Sequence, residues 1–275
     1  MTNSSSYKLH TVARQYCIGQ YEYWLNKYGE LDRANKTRPG QKYTVEALRV
    51  FPRYNVLAAI LTEIERLDPE EGISFRDMKQ FVLDAHGADN IFTRPPHNDI
   101  ELSAMKEERT AYLNYINGIK EENIWYVPSL FYRRVLSTTE TAFIWRLLQT
   151  TWGVEGTTWH PISAKPPVEQ DIIAFQDTYF RKYVQHGVLN FLSSAMNIQR
   201  CWEIREDNNA SFLDVSEIEF AYNGSESYWC TKDMDWLIYA SHESSVTIGG
   251  ALLIALIKET WPSWEDYIWK DPFFT

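Results

Sequence analysis

Apolar residues recur at helical spacing through the first two-thirds of the chain, and then give way to short, nearly continuous apolar runs. Leu9, Val12, Tyr16 and Tyr23 fall on one face of a helix predicted from Tyr7 to Tyr28, with Gly29 as its stop. Val45, Leu48, Val56, Ile60, Leu61, Ile64 and Leu67 continue the same period. Pro52 lacks the amide that a helix interior needs, so two helices or one kinked helix are expected around Phe51. Ser74 is placed to cap a helix carrying Phe75, Met78, Phe81 and Val82 that ends by Gly87. Residues Asn90 to Asp99, with Pro95 and Pro96, should be irregular, and a longer helix follows from about Ile100 to Lys120. Ser137 and Glu140 have capping-box spacing, and the helix they start carries Ala142, Trp145, Leu148 and Trp152 before Gly153. After a loop from Thr157 to Pro167, Ile172, Phe175, Tyr179 and Tyr183 line one stripe of a helix predicted from Glu169 to His186, with a shorter helix after Gly187.

From about Gln199 the runs CWEIRE, EIEFAY, SYWC and DWLIYA read as strands, with Asn223-Gly224 as a tight turn between the second and third. The densest order lies in Asp235 to Ile257. Trp236 to Ala240 form an apolar run suited to a strand covered on both faces, and His242, Glu243, Ser244 and Ser245 interrupt it. Val246 to Ile248 resume as a strand, Gly249-Gly250 follow, and an apolar helix closes the stretch. A short helix near Trp264 to Trp269 comes last. Helices followed by strands imply an α+β fold, in which a mainly helical N-terminal two-thirds packs with a small, mostly antiparallel C-terminal sheet and a closing helix. We expect residues 1–275 to form a single compact unit, of which 1–196 is the helical part. The sheet-and-helix part, 197–275, should bury too little apolar area to fold alone.

Composition changes this picture in two ways. The 275 residues are 44% apolar and 15% aromatic, with 11 Trp and 17 Tyr, so many large rings must be buried or displayed for contact. A formal charge of -10 repels a phosphate backbone and an anionic membrane surface, and so excludes nucleic acid and membrane as expected partners. It favours a basic protein or a cationic ligand. The N-terminus lacks a basic start followed by an apolar run, and the three cysteines, Cys17, Cys201 and Cys230, are odd in number and widely spaced. Both features point to the cytoplasm.

Candidate chemistry centres on His242 and Glu243 at the end of a predicted strand. His242 would serve as a general base, with Glu243 or Asp235 orienting it. The competing expectation is a turn in which hydroxyls and carboxylates answer backbone amides. Cys230, Asp235 and His242 hold the residue types of a thiol triad, but Cys230 lies in an apolar run where a thiol acts as a small hydrophobe. Tyr132, Arg133 and Arg134, framed by Trp125, Tyr126 and Phe131, form an aromatic and basic cluster able to stack on a ligand or clasp a carboxylate. The plainer expectation there is that one Arg pairs with an acid and the aromatics join the core. His97, Asp99 and Glu101 offer a nitrogen and two oxygens, though a helix start accounts for the acids, and we assign no metal and no cofactor.

The leading functional expectation is therefore a non-catalytic cytoplasmic interaction protein that binds and neutralises a basic protein such as a toxin domain. The alternative is a hydrolase using His242 with Glu243 or Asp235. A pocket lined by His242 favours the enzyme, and a broad acidic and aromatic face favours the binder.

Overall fold

The computed structural model describes residues 4–35, 44–157, 159 and 171–270. The chain divides into two compact units, Met1–Leu130 and Phe131–Thr275. The loop expected from Thr157 to Pro167 lies largely outside the described residues.

The first unit holds four α-helices among the described residues: α1 (Ser5–Asn35), α2 (Val45–Ile64), α3 (Phe75–Asp84) and α4 (Asp99–Gly118). Leu9, Ala13 and Cys17, four residues apart on α1, share a core with Val56, Leu57 and Ile60 of α2, Met78 and Val82 of α3, and Tyr112 and Ile116 of α4. Thr44, Ser74 and Asn98 cap the last three helices with side-chain oxygens that accept backbone amides. One expectation changes here, and one of two alternatives is found. Helix α1 runs through Gly29, since an interior glycine costs a helix only ~1 kcal/mol and is no stop by itself. Helix α2 runs unbroken through Pro52, and carbonyls beside the ring find side-chain donors: Arg53 Nε donates to Arg49 O at 3.0 Å and Asn55 Nδ2 to Phe51 O at 2.8 Å. Inside this core, Arg14 Nε donates to Glu65 Oε1 at 2.9 Å, so neither buried charge stands alone. Burial lowers His10 to a pKa of about 4, and its neutral ring bonds Ile64 O at the end of α2 at 3.1 Å.

The second unit is α+β. Among the described residues seven strands, β1 (Arg133–Val135), β2 (Ile172–Gln176), β3 (Arg200–Arg205), β4 (Ala210–Asp214), β5 (Ser227–Cys230), β6 (Leu237–Ser241) and β7 (Ser245–Gly249), form one antiparallel sheet ordered β1-β4-β3-β5-β6-β7-β2. Its helices are α5 (Thr138–Trp152), α6 (Asp177–Tyr183), α7 (Gln185–Asn190) and the closing α8 (Ala251–Thr260). Side chains alternate between two cores, as the pleat requires. Trp229, Ile238, Ala240, Val246 and Ile248 join Phe180, Val188 and Ile257 from α6, α7 and α8 on one face. Tyr228, Cys230, Leu237 and Tyr239 join Ile144, Leu148 and Trp152 of α5, with Trp159, on the other. Cover on both faces is why the central strands read as unbroken apolar runs.

The sheet is larger than the sequence pattern indicates. Ile172 and Phe175, expected on a helix with Tyr179 and Tyr183, lie instead in β2, which pairs along the whole of β7, and the helix starts only at Asp177. A short apolar run fits either period, and here the partner strand decides. EIEFAY forms no strand; Phe220 is buried from an irregular segment, while the unremarked run Ala210–Asp214 supplies β4. Strands β1 and β2 and helix α5 all precede residue 197, so the part read as 197–275 lacks both edge strands and the helix that covers one face.

Gly249 and Gly250 each answer a steric demand. A Cβ on Gly249 would stand 2.4 Å from the Trp152 ring, and one on Gly250, whose φ is +116°, would meet Asp235 O at 2.6 Å. Gly249→Ala should therefore lower stability by ~1–3 kcal/mol through overpacking, and by less in a Trp152→Leu background. Urea denaturation of the four proteins measures this. An equal loss in both backgrounds would show that Trp152 does not limit the strand.

Candidate functional site

The most unusual polar arrangement sits where β5 begins and β6 ends. Ser227 pairs with Ala240, which sets the preceding Glu226 beside Ser241. Tyr239 and Ser241 are two residues apart and so project from one face of β6. Glu226 is only 3% exposed, and its carboxylate takes three side-chain donors: Tyr239 Oη, Ser241 Oγ at 3.2 Å and His242 Nδ1 at 2.5 Å. Tyr239 is itself fixed, stacked on Tyr228 with ring centroids 4.6 Å apart. Tyr228 in turn donates to Thr157 O at 2.9 Å. Burial pushes both phenols up, so they remain donors throughout the ordinary pH range.

The hairpin that carries His242 is held on all sides. Ser241 Oγ accepts the Glu243 amide at 3.2 Å, and Ser244 takes the left-handed conformation, φ 59°, that closes the three-residue turn between Ser241 and Ser245. Asp177 N donates to Ser244 O at 3.0 Å and Trp269 Nε1 to Glu243 O at 3.1 Å. From the turn between β3 and β4, Glu206 accepts the Glu226 amide at 3.1 Å and donates its own amide to Glu226 O at 3.0 Å. What remains outward is His242, with 63% of its side chain exposed, together with Glu243, Asp207 and Tyr222, whose ring lies edge-on to the imidazole with centroids 6.3 Å apart.

Two things follow chemically. With Nδ1–H donating to Glu226, the neutral imidazole is held in one tautomer with Nε2 on its exposed edge, an arrangement suited to accepting a proton or a hydrogen bond. The hydrogen bond to Glu226, with the charges of Glu243 and Glu206 adding to it, raises His242 above the ordinary imidazole range. Among the described residues, no serine, threonine or cysteine side chain bonds Nε2, and no group of three or more His, Cys, Asp or Glu is placed to hold a metal ion. Clefts of about 510, 540 and 340 Å³ open elsewhere, beside Arg49 and Ser103, beside His86 and Arg109, and beside Asn190 and Ser216.

The residues singled out from the sequence are distributed as follows. Glu243 sits next to His242 but leaves the orienting role to Glu226. Asp235 precedes β6 while His242 follows it, which separates them by about 20 Å at the ~3.3 Å rise of a strand residue. Cys230 pairs with Leu237, far along the strand from His242, and burial pushes its thiol up, so no thiol triad forms. The aromatic and basic cluster is divided by the unit boundary at Leu130–Phe131. Tyr132 is buried beneath the Arg200 guanidinium, 3.6 Å from its ring centroid. Arg134 bonds Glu140 at 2.7 Å, which with the Ser137 cap lowers that carboxyl to about 2, and Arg133 approaches Glu203 at 3.8 Å. Trp125 and Tyr126, expected in the core, are instead 82% and 75% exposed. His97 bonds Glu101 at 3.2 Å, and Glu101 closes the capping box that starts α4. Glu226 escaped the sequence reading because its role depends on the pairing of β5 with β6; the one available signal was an acid set just before the strand Ser227–Cys230, which carries the apolar run Tyr228–Cys230.

No protein-family model matches this chain, and no curated protein or solved structure shows detectable similarity to it. No helix among the described residues is long and apolar enough to cross a membrane.

If Glu226 sets the behaviour of His242, then Glu226→Gln should return the imidazole toward its ordinary pKa of about 6.5. Histidine-detected NMR titration of both proteins reads this directly. The raised value also means that the His242 contribution to stability is present below the ordinary imidazole range and is lost as pH rises through the folded-state pKa. An identical titration in the two proteins would separate His242 from Glu226.

Proposed function

We propose that this chain is a cytoplasmic interaction protein that binds a basic protein, with neutralisation of a toxin domain as one form of that role, through the hairpin end of the second unit's sheet. The observation that carries the reading is the uneven division of charge. Residues 1–130 hold 16 Lys and Arg against 18 Asp and Glu, whereas residues 131–275 hold 11 against 19, so a net -8 of the total -10 belongs to the second unit. At the hairpin end, the exposed Glu243 and His242 lie on one turn and the exposed Asp207 and half-buried Glu206 on another, both fixed by backbone bonds, with the Tyr222 ring edge-on to His242. Such a surface offers steering charge and an aromatic anchor, and little ordering remains to be done on binding.

The hydrolase reading stays as the second, on the strength of the 2.5 Å bond between His242 and Glu226. In that reading Glu226, in place of Glu243 or Asp235, orients His242 as general base. It requires a hydrolytic activity lost in His242→Ala.

Affinity capture from a lysate of the source cell, with mass-spectrometric identification, separates the two. The binder reading expects basic proteins that are released by raised salt and are reduced by about tenfold or more when Asp207→Lys and Glu243→Lys are combined. Capture indifferent to salt and to both reversals would contradict it.

A further inference from the structure

Residues Glu121 to Pro128 run along α1 in a way that leaves two large rings outside. Ile124 is buried in the core of the first unit, 7% exposed, and Val127 packs against it. The backbone is tied to α1 at two further points, where Lys8 Nζ donates to Trp125 O at 3.0 Å and Gln15 Nε2 donates to Pro128 O at 2.9 Å. Ser5 Oγ bonds the Glu121 carboxylate at the head of the segment. Between these fixed points Trp125 is 82% exposed and Tyr126 75% exposed. Glu121, Glu122 and Asn123, directly before them, are exposed as well.

A chain held at alternate points with its two aromatic side chains outward is pre-organised for contact, because ordering the segment has been completed within the unit itself. Indole is the strongest of the aromatic rings for a cation above its face, and neighbouring carboxylates add attraction of the same sign. Of the two lysines beside the segment, Lys8 is occupied with the Trp125 carbonyl, and Lys120 is exposed at its head next to Glu121.

We propose that Trp125 and Tyr126, with Glu121 and Glu122, form a cation-binding surface on the first unit that takes a lysine or arginine side chain of a basic partner. The inference rests on the reading above that the partner is basic, and it adds a second contact region, independent of the hairpin end.

The test is binding of a labelled oligoarginine peptide to the full chain, followed by fluorescence anisotropy, with an oligoglutamate peptide as control. Since both rings are exposed, Trp125→Ala and Tyr126→Ala should leave the thermal transition unchanged. Each should weaken oligoarginine binding by about two- to fivefold, the range expected of an exposed cation–π contact. Glu121→Gln with Glu122→Gln should flatten the salt dependence. Oligoarginine binding unchanged in both aromatic variants would overturn the proposal. If it then fell with Asp207→Lys and Glu243→Lys, the hairpin reading would stand alone; if no variant altered it, both readings would fall. A chain that self-associates in sedimentation, and becomes monomeric with Trp125→Ala, would assign the surface to a second copy and also overturn the proposal.

Discussion

A carboxylate withdrawn from water must be answered by donors, and at the end of the second unit's sheet this requirement organises everything nearby. Glu226 draws Tyr239 and Ser241 from one strand and His242 from the turn beyond it, while its own backbone is locked to Glu206 across the neighbouring turn. Leaving any of these donors out would expose a buried charge to an unanswered desolvation penalty, so the register of β5 against β6 and the conformation of the hairpin are tied to one side chain. The Tyr228–Tyr239 stack carries this order into the core under α5.

The surface features inherit their rigidity from this interior. His242 is an exposed side chain on a fixed mount, with Glu243 next to it and the Tyr222 ring edge-on to it, while Asp207 lies on the β3–β4 turn that is bonded to Glu226 through Glu206. The first unit repeats the principle with different parts, since Ile124, Lys8 and Gln15 hold a segment whose Trp125 and Tyr126 face outward. Acidic charge and pre-placed aromatic rings are what recognition of a cationic surface requires, and both units supply the combination through short segments pinned at several points.

Much of this fold was legible in the residue pattern. Capping residues located the starts of α3 and α5, and the apolar runs located β3, β5, β6 and β7. The failures have a shared cause. Ile172 to Phe175 fit a helical stripe as well as a strand, and only pairing with β7 resolves them. Trp125 and Tyr126 look like core residues by composition, because sequence cannot show that Ile124 and Val127 already fill the space beneath them. The site was half visible: His242 stood out as a polar interruption after an apolar strand, but its carboxylate lies 16 positions earlier and reaches it only through strand register. Local polarity marks where a site is; long-range pairing decides which residues compose it.

The central claim, that Glu226 and His242 act as one electrostatic unit at the head of the hairpin, is tested most directly by a double-mutant cycle in stability. Glu226→Gln, His242→Ala and the double variant should be unfolded in urea at about pH 5.5 and again at about pH 9, on either side of the imidazole titration. The account predicts a favourable coupling at the lower pH, where the protonated ring faces the carboxylate, that shrinks at the higher pH to what a neutral hydrogen bond provides. Additive losses at both pH values, with no coupling between the two residues, would contradict it.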